Sequence, residues 1–365
     1  MGFKCGIVGL PNVGKSTLFN ALTRTAAAQA ANYPFCTIEP NVGDVGIPDG
    51  RLDIIAEIAK SAEIISTRLT FVDIAGLVRG ASKGEGLGNK FLGNIREVDA
   101  IAHVLRCFEN DDITHVEGRI DALSDMEVIE TELMLADLES LEKRIGPLDK
   151  RIRGQDKEAK IILDLVNRAL SVLQEGQPAR LVKINSDEVR AFKGLNLLTS
   201  KPVLYVCNVS EEDACMGNKM SDAIGTHAEK IGARHVVISA AIEAEVAALD
   251  DSEQIEFLNT LGLSKPGLDR LIFEGYGLLD LITFFTAGPK ESRAWTVTQG
   301  TLAPKAAGVI HTDFEHGFIR AETIGYNDFL QFKGEQGARD AGRMRLEGKE
   351  YVVHDGDVLH FRFAN

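Results

Sequence analysis

Cysteine is scarce in this sequence, and long apolar runs are absent from it. The chain has 5 cysteines in 365 residues. The number is odd and no two of them have C-x-x-C spacing, which disfavours a disulfide framework and a zinc site. No apolar run approaches the roughly 18 residues that span a bilayer, and the first residues lack the layout of a signal peptide. We therefore expect a cytoplasmic protein with reduced thiols and no membrane partner.

Positive charge is also in deficit, because 40 lysines and arginines stand against 54 aspartates and glutamates, for a net charge of -14. A chain this acidic is repelled as a whole by a polyphosphate backbone. Contact with nucleic acid therefore needs a local basic patch or a specific fit of shape. Hydrophobic residues make up 44% of the chain, which is enough for a sizeable core, and the length suggests two or three domains.

The strongest motif is GLPNVGKST in residues 9–17. It places G-x-x-x-x-G-K-S between an apolar strand pattern and a helical pattern, which is the context of a Walker A phosphate-binding loop. Its glycines allow main-chain N–H groups to converge on phosphates. Lys15 would neutralise the β- and γ-phosphates, and Ser16 would ligate Mg²⁺. The expected nucleotide-binding residues of this loop are Asn12, Val13, Gly14, Lys15, Ser16 and Thr17.

Two further motifs follow in the order that a GTPase-like site needs. Thr37 precedes a strand pattern, where a switch threonine would coordinate Mg²⁺; an ordinary strand residue is the alternative. The strand pattern of residues 68–72 ends in Asp73-x-x-Gly76. Asp73 would support the Mg²⁺ shell, and the Gly76 N–H would contact the γ-phosphate. Leu77 stands where Ras-like enzymes carry a water-orienting glutamine, so either hydrolysis is slow or another group orients the water.

Base selectivity depends on residues 208–211, whose sequence is NVSE. GTPases carry Asn-Lys-x-Asp at this place, where the aspartate accepts two hydrogen bonds from guanine. Val209 and Glu211 replace the lysine and the aspartate, and the longer carboxylate cannot occupy the same place. This change argues for relaxed or adenine selectivity. Ser239 begins a Ser-Ala-Ala sequence like the loop beneath the base. The expected base-binding residues are Asn208, Val209, Glu211 and Ser239.

Together these motifs resemble the YchF ATPases, a branch of the Obg-related P-loop GTPases, and the resemblance covers essentially the whole chain. It implies a preference for ATP over GTP, for which Asn-x-x-Glu is the family signature. It also implies that a histidine, here His115, assists the water, although a loop histidine bonded to a carbonyl is the alternative. Lys15, Asp73 and Gly76 complete the expected catalytic set. In some relatives K⁺ supplies charge at the phosphates, and Asn12 is the candidate ligand here; a hydrogen bond within the loop is the alternative.

The predicted fold class is α/β, with three regions. Residues 1–125 and 200–280 would form a P-loop nucleotide-binding domain with a mostly parallel sheet. Residues 126–199 contain two helical patterns with narrow apolar seams, which predict an inserted antiparallel coiled-coil hairpin. Helix breaks are expected at Gly146-Pro147 and at Gly154.

The connection between the two predicted helices is basic. Its positive residues are Lys143, Arg144, Lys150, Arg151, Arg153 and Lys157. A solvated helix tip is one interpretation, and a docking point for RNA or an acidic partner is the other.

Residues 281–365 are rich in strand patterns and resemble a TGS domain, a small β-grasp module. The resemblance implies contact with RNA, the ribosome or a protein partner. The predicted strands are residues 283–287, 294–297, 318–324, 351–353 and 358–363.

The predicted function is Mg²⁺-dependent hydrolysis of ATP, with weaker use of GTP, by a nucleotide-controlled switch. The expected partner is the ribosome or another RNA-containing translation component, reached through the coiled coil and the TGS domain, and we expect a monomer. Two alternatives stay open. One is a true GTPase with a degenerate base motif, and the other is a nucleotide-sensing scaffold whose turnover is not needed.

Overall fold

A computed structural model describes residues 3–30, 41–74, 87–110 and 120–364. The strands are Lys4–Val8 (β1), Val42–Gly46 (β2), Glu63–Ile65 (β3), Arg68–Asp73 (β4), Ala100–Arg106 (β5), Val203–Asn208 (β6), Arg234–Ile238 (β7), Leu281–Ala287 (β8), Glu291–Thr298 (β9), Phe318–Gly325 (β10), Arg345–Glu347 (β11) and Asp357–Phe363 (β12). The helices are Lys15–Ala30 (α1), Gly50–Ala59 (α2), Leu87–Arg96 (α3), Ala122–Arg153 (α4), Lys157–Gln174 (α5), Val189–Gly194 (α6), Lys219–Lys230 (α7), Ala240–Val246 (α8), Asp251–Thr260 (α9), Gly267–Leu278 (α10), Ala303–Ile310 (α11), Thr312–His316 (α12), Tyr326–Gln331 (α13) and Glu335–Asp340 (α14).

The chain divides into two compact units. The first contains residues 1–45 and 70–275, and the second contains residues 46–69 and 276–365. Residues 46–69, which include α2 and β3, belong to the second unit, although they were predicted as part of the nucleotide-binding domain. None of the described helices is both long and apolar enough to cross a membrane.

The first unit contains a 6-stranded sheet in the order β2-β4-β1-β5-β6-β7. From β4 to β7 the neighbouring strands pair in parallel. Every residue of β5 and of β6 is buried, as expected for central parallel strands whose two faces are covered. The carboxyl ends of parallel strands meet at one edge of the sheet, so β1, β4 and β6 bring their following loops together there.

A hairpin is formed by α4 and α5, which are separated by residues 154–156 and therefore run antiparallel. It spans residues 122–174, whereas the predicted bounds were 126–199. Each helix begins at an aspartate cap: the carboxylates of Asp121 and Asp156 accept backbone N–H bonds at 3.1 and 3.0 Å. The core between the helices contains Leu141, Leu148, Leu165, Val166, Ala169 and Leu173, with Met134, Leu138, Ile145 and Ile162 partly buried against it.

The predicted helix break at Gly146-Pro147 is wrong, because α4 continues through both residues. A proline inside a helix removes a main-chain hydrogen bond and costs roughly 3 kcal/mol. Leu141 and Leu148 lie on either side of the proline, and both are buried in the hairpin core. Tertiary packing therefore holds the helix together where local propensity would end it. The break at Gly154 is confirmed as the end of α4.

The second unit contains another 6-stranded sheet, in the order β11-β10-β12-β8-β9-β3. This sheet is mixed, because β10 pairs antiparallel with β11 and β12 and β8 pairs antiparallel with β9, whereas β12–β8 and β3–β9 are parallel. Two apolar clusters stabilise the unit. One surrounds Phe284 and Phe361, and the other surrounds Phe285 and Phe329.

One predicted strand of the second unit is wrong. Within residues 351–353, Val352 forms an isolated bridge with Leu302, and no strand is present there. The short strand β11 lies nearby instead. Its first and last residues, Arg345 and Glu347, are charged, which explains why its sequence carries little strand signal.

Candidate nucleotide-binding site

The loop of residues 9–17 connects the carboxyl end of β1 to α1, as predicted. A Cβ at Gly9 would lie 2.5 Å from the carbonyl oxygen of Val104. Gly14 has a φ of 98°, and a Cβ there would collide with the side chain of Asn208. Both positions therefore require glycine, the first for close approach and the second for conformation as well.

The loop presents polar groups at the amino end of α1. Ser16 and Thr17 are exposed, and so is Asn12, whose φ of 62° lies in the left-handed region. Val13 is buried and packs the loop against the protein interior. The first N–H groups of a helix have no partner inside the helix and carry its positive dipole end. This end of α1 is therefore suited to bind an anion.

Lys15 and Asp73 are the charged pair of the site. The Lys15 side chain is largely buried, and its Nζ donates to the carbonyl oxygen of Leu10 at 2.6 Å. Burial lowers the pKa of Lys15 to about 8, and the nearby charge of Asp73 opposes that shift. Burial raises the pKa of Asp73, and Lys15 opposes it. Among the described residues, Oδ1 of Asp73 is buried without a hydrogen-bond partner. A cation at this carboxylate and an anion at Lys15 would stabilise both charges.

Asn208, at the end of β6, connects the phosphate-binding loop with the base side of the site. Its Nδ2 donates to the carbonyl oxygen of Val13 at 3.0 Å, and its Oδ1 accepts from the N–H of Ala240 at 2.9 Å. The Asn208 amide therefore shapes the site by joining two of its loops. Ser239 precedes Ala240, and its buried hydroxyl has no hydrogen-bond partner within the described part of the chain. A buried hydroxyl without a partner needs an explanation, and beside this loop a bound ligand is a candidate.

An open cavity of about 940 Å³ extends from the phosphate-binding loop to the base side. This size is in the usual range for a small-molecule site. Its lining includes Asn12, Gly14, Thr17, Phe108, Asn110, Asn208, Val209, Glu211 and Ser239. Val13, Lys15 and Ser16 belong to the same loop as the first three. Thr37, Gly76 and His115 lie outside the described residues.

Asn218 is a site residue that the sequence analysis missed. Its Nδ2 donates to the carbonyl oxygen of Cys107 at 2.7 Å and to a carboxylate oxygen of Asp213 at 2.8 Å. Its Oδ1 accepts from the N–H groups of Met220 and Ser221 and so caps α7. Asn218 thus joins the loop after β6 to the end of β5. The cap could have been predicted from an asparagine before a helical pattern, but the contact with β5 could not.

Comparison with known proteins identifies the family of this chain. A family model described as 50S ribosome-binding GTPase matches residues 4–137. The YchF-GTPase_C model, described as a protein of unknown function, matches residues 281–364. A Haemophilus influenzae protein called ribosome-binding ATPase YchF is 61% identical over 100% of this chain and 99% of its own. The chain belongs to the YchF family.

Other YchF proteins are also similar to this chain over nearly its whole length. The Bacillus subtilis protein of that name is 52% identical over 100% of both chains. A solved structure called the Schizosaccharomyces pombe YchF GTPase is 40% identical and covers 99% of this chain and 98% of its own, with a TM-score of 0.89. The predicted family and α/β P-loop fold are thereby confirmed.

This YchF chain has a second polar cluster, in its second unit, formed by Glu322, Glu335 and His360. Their potential metal-ligand atoms all lie within 4.8 Å of one another. However, both oxygens of the buried Glu322 carboxylate already accept hydrogen bonds from Arg362, at 3.2 and 3.1 Å. Arg339 adds an ion pair with Glu335 at 2.8 Å. We call this group the Glu322 cluster and interpret it as an ion-pair network, because cations surround its carboxylates.

Proposed function

We propose that the chain hydrolyses ATP to ADP and phosphate with Mg²⁺, and that the bound nucleotide controls attachment to the ribosome. The observation that carries the proposal is the pair of Lys15 and Asp73 beside the phosphate-binding loop, where one buried carboxylate oxygen has no partner among the described residues. The names of the Haemophilus and Bacillus relatives, which describe ribosome-binding ATPases, support both parts of the proposal.

The donor set fits Mg²⁺, which prefers oxygen ligands. Oδ1 of Asp73 is available, and the Ser16 hydroxyl is exposed at the start of α1. Mg²⁺ bound there would neutralise charge on phosphate oxygens. Lys15 and the N–H groups of the loop bind the terminal phosphates and stabilise the charge that develops during transfer. Thr37 as a further metal ligand and Asn12 as a ligand for K⁺ are part of the proposal.

Water would attack the γ-phosphate with help from the Gly76 N–H and from His115. Both roles are proposed from the family resemblance. A His115→Ala variant should keep ATP affinity and lose turnover, because the substitution removes the water-orienting group alone. Equal turnover of the variant and the wild type in a phosphate-release assay would contradict this role.

ATP is proposed as the preferred nucleotide because the guanine-specific residues are replaced. Glu211 is exposed at the cavity, one methylene longer than the aspartate that pairs with guanine, and Val209 replaces the lysine that would cover the base. Main-chain groups near Val209 would then select adenine. The alternative is a true GTPase, which the word GTPase in the name of the Schizosaccharomyces relative favours.

Competition of ATP and GTP against a fluorescent nucleotide distinguishes the two. We expect ATP to displace the probe at lower concentration. A matched double variant, Val209→Lys with Glu211→Asp, should shift the preference toward GTP. A wild-type preference for GTP would establish the alternative.

The hairpin tip is the proposed ribosome contact. Lys150, Arg153 and Lys157 are exposed there, and within the described part of the chain none of them has a carboxylate partner. Unpaired cations grouped on a protein of net charge -14 form a local patch that an RNA backbone can bind. The rigid core of α4 and α5 would hold this patch away from the sheet.

Co-sedimentation with ribosomes in the presence of ATP, ADP or no nucleotide tests this part. Lys150→Glu with Arg153→Glu should abolish binding, and the matched reversal of Lys193 and Lys230, exposed lysines outside α4 and α5, should not. A scaffold without need of turnover would behave differently from a switch: His115→Ala would then keep full function in cells while Lys15→Ala lost it.

A further inference from the structure

Arg106 is the last residue of β5 and is fully buried. A buried arginine is uncommon, because removing its charge from water is costly unless hydrogen bonds and counter-charge compensate. The other residues of its strand, Ala100–Arg106, are apolar except for His103. It belongs neither to the phosphate-binding loop nor to the base motif.

Arg106 contacts the segment that follows it. Its Nε donates to the carbonyl oxygen of Phe108 at 3.2 Å, and its Nη2 donates to the carbonyl oxygen of Asn110 at 2.9 Å. The guanidinium also lies over the Phe108 ring, 4.8 Å from its centroid. Only a planar, multi-donor cation can bond two separate carbonyls and stack on a ring at once. Arg106 therefore fixes both the backbone and the side chain of this segment.

The fixed segment is a wall of the nucleotide cavity. Phe108, Glu109 and Asn110 line it, as do Val209 and Glu211. The start of the wall is held independently, because the N–H of Cys107 donates to the carbonyl oxygen of Asn208 at 2.8 Å. This bond holds the end of β6 and the segment after β5 at a fixed distance from each other. Both elements line the base side of the cavity.

The charge of Arg106 is balanced from α4. Asp125, in the first turn of that helix, is buried, and its negative charge favours the protonated guanidinium, whereas burial lowers the pKa of Arg106. Arg106 consequently links three parts of the first unit: the end of the central strand, the cavity wall and the start of the hairpin helix.

We propose that Arg106 is a positioning residue for the nucleotide base: it holds the Phe108–Asn110 wall in the place that gives ATP its affinity and its advantage over GTP. The inference rests on the proposed function, because it assigns the base to the cavity lined by this wall. Arg106 itself touches no phosphate and takes no part in the transfer.

The test compares Arg106→Lys with Arg180→Lys. A lysine at position 106 keeps the charge but cannot bond both carbonyls and stack on Phe108. Arg180 is the matched control, because it is also largely buried and bonds a carboxylate, Glu130, at 3.0 Å, yet it does not line the cavity. We expect Arg106→Lys to raise the Kd for Mg-ATP about tenfold and to reduce the preference for ATP over GTP. The kcat at saturating ATP should stay close to that of the wild type. Arg180→Lys should leave all three unchanged.

The possible outcomes distinguish failure of the proposed function from failure of the inference about Arg106. If the wild type binds neither nucleotide, the proposed function fails. If the wild type binds ATP and Arg106→Lys binds it equally well with the same base preference, only the inference about Arg106 fails. Should Arg106→Lys not fold, Phe108→Leu replaces it, since Phe108 is partly exposed and the change removes the stacking contact with Arg106 together with part of the cavity lining. A Kd about threefold higher is then expected, and an unchanged Kd would overturn the proposal.

Discussion

Two polar clusters of this molecule use similar residues in opposite ways. At the phosphate-binding loop, Lys15 and Asp73 are partly removed from solvent. The buried Oδ1 of Asp73 and the buried hydroxyl of Ser239 have no hydrogen-bond partner among the described residues. In the Glu322 cluster, the buried carboxylate of Glu322 is bonded at both oxygens by Arg362. A buried polar group without a partner needs an explanation, and beside a phosphate-binding loop a bound ligand is a candidate, whereas the carboxylate of Glu322 already has its partners. This difference supports the proposal that a ligand binds at the first cluster, although both clusters contain carboxylates that could bind a metal.

The largest expected effect comes from Lys15→Met. Loss of the ammonium should weaken ATP binding about a hundredfold, the size of a strong charge-assisted hydrogen bond. The same change should not destabilise the protein without nucleotide, because the wild type buries this charge at a cost. Isothermal titration and thermal unfolding measure the two quantities. A large fall in Tm without nucleotide would show that Lys15 is structural, like the Glu322 cluster.

A smaller effect is expected from Asp73→Asn. The amide keeps the shape but lacks the negative charge that would support Mg²⁺, so ATP affinity in the presence of Mg²⁺ should fall about tenfold. With EDTA present, wild type and variant should bind ATP alike. A difference that persists without the metal would contradict the assignment of Asp73 to Mg²⁺.

The pH dependence of binding sharpens the comparison further. The pKa of Lys15 is lowered to about 8 in the free site, and a bound phosphate must raise it. A group whose pKa rises on binding favours binding fully when the pH is below the pKa of that group in the free site. This contribution is lost as the pH increases past that pKa. The Kd for Mg-ATP should therefore rise about fivefold between pH 8 and pH 9. A Lys15→Arg variant, which keeps its proton, should bind with a flat profile over this interval.

The smallest effect is expected from Glu322→Gln. Arg362 lowers the pKa of Glu322, so the ion pair stabilises the fold above the ordinary carboxyl pKa, and this contribution is lost as the pH falls through the lowered value. The substitution should lower the free energy of unfolding by about 1 kcal/mol at neutral pH and leave ATP binding unchanged. Zn²⁺ should not raise the Tm of the wild type. A rise that Glu322→Gln abolishes would make this cluster a metal site and end the contrast.

Local sequence predicted most of the fold, and its errors have tertiary causes. The strand, loop and helix around residues 9–17 were correct, because one continuous segment contains the whole pattern. Pro147 misled the prediction, since the packing of Leu141 and Leu148 outweighs the local preference for a break. Residues 351–353 carry a strand pattern, yet only Val352 finds a bridge partner. Strand pairing depends on distant residues, so pattern alone does not decide it.

The sequence by itself determined the phosphate-binding loop, because a glycine turn and a helix start are built from neighbouring residues whose chemistry is local. Only the tertiary structure decided which polar groups remain without partners. Asn208 reaches the carbonyl of Val13, and Glu322 finds Arg362, across long stretches of chain. Arg106 likewise acquires a role only when β5 ends beside the cavity. Hydrogen-bond satisfaction depends on contacts between residues distant in the chain, and no local pattern records those contacts.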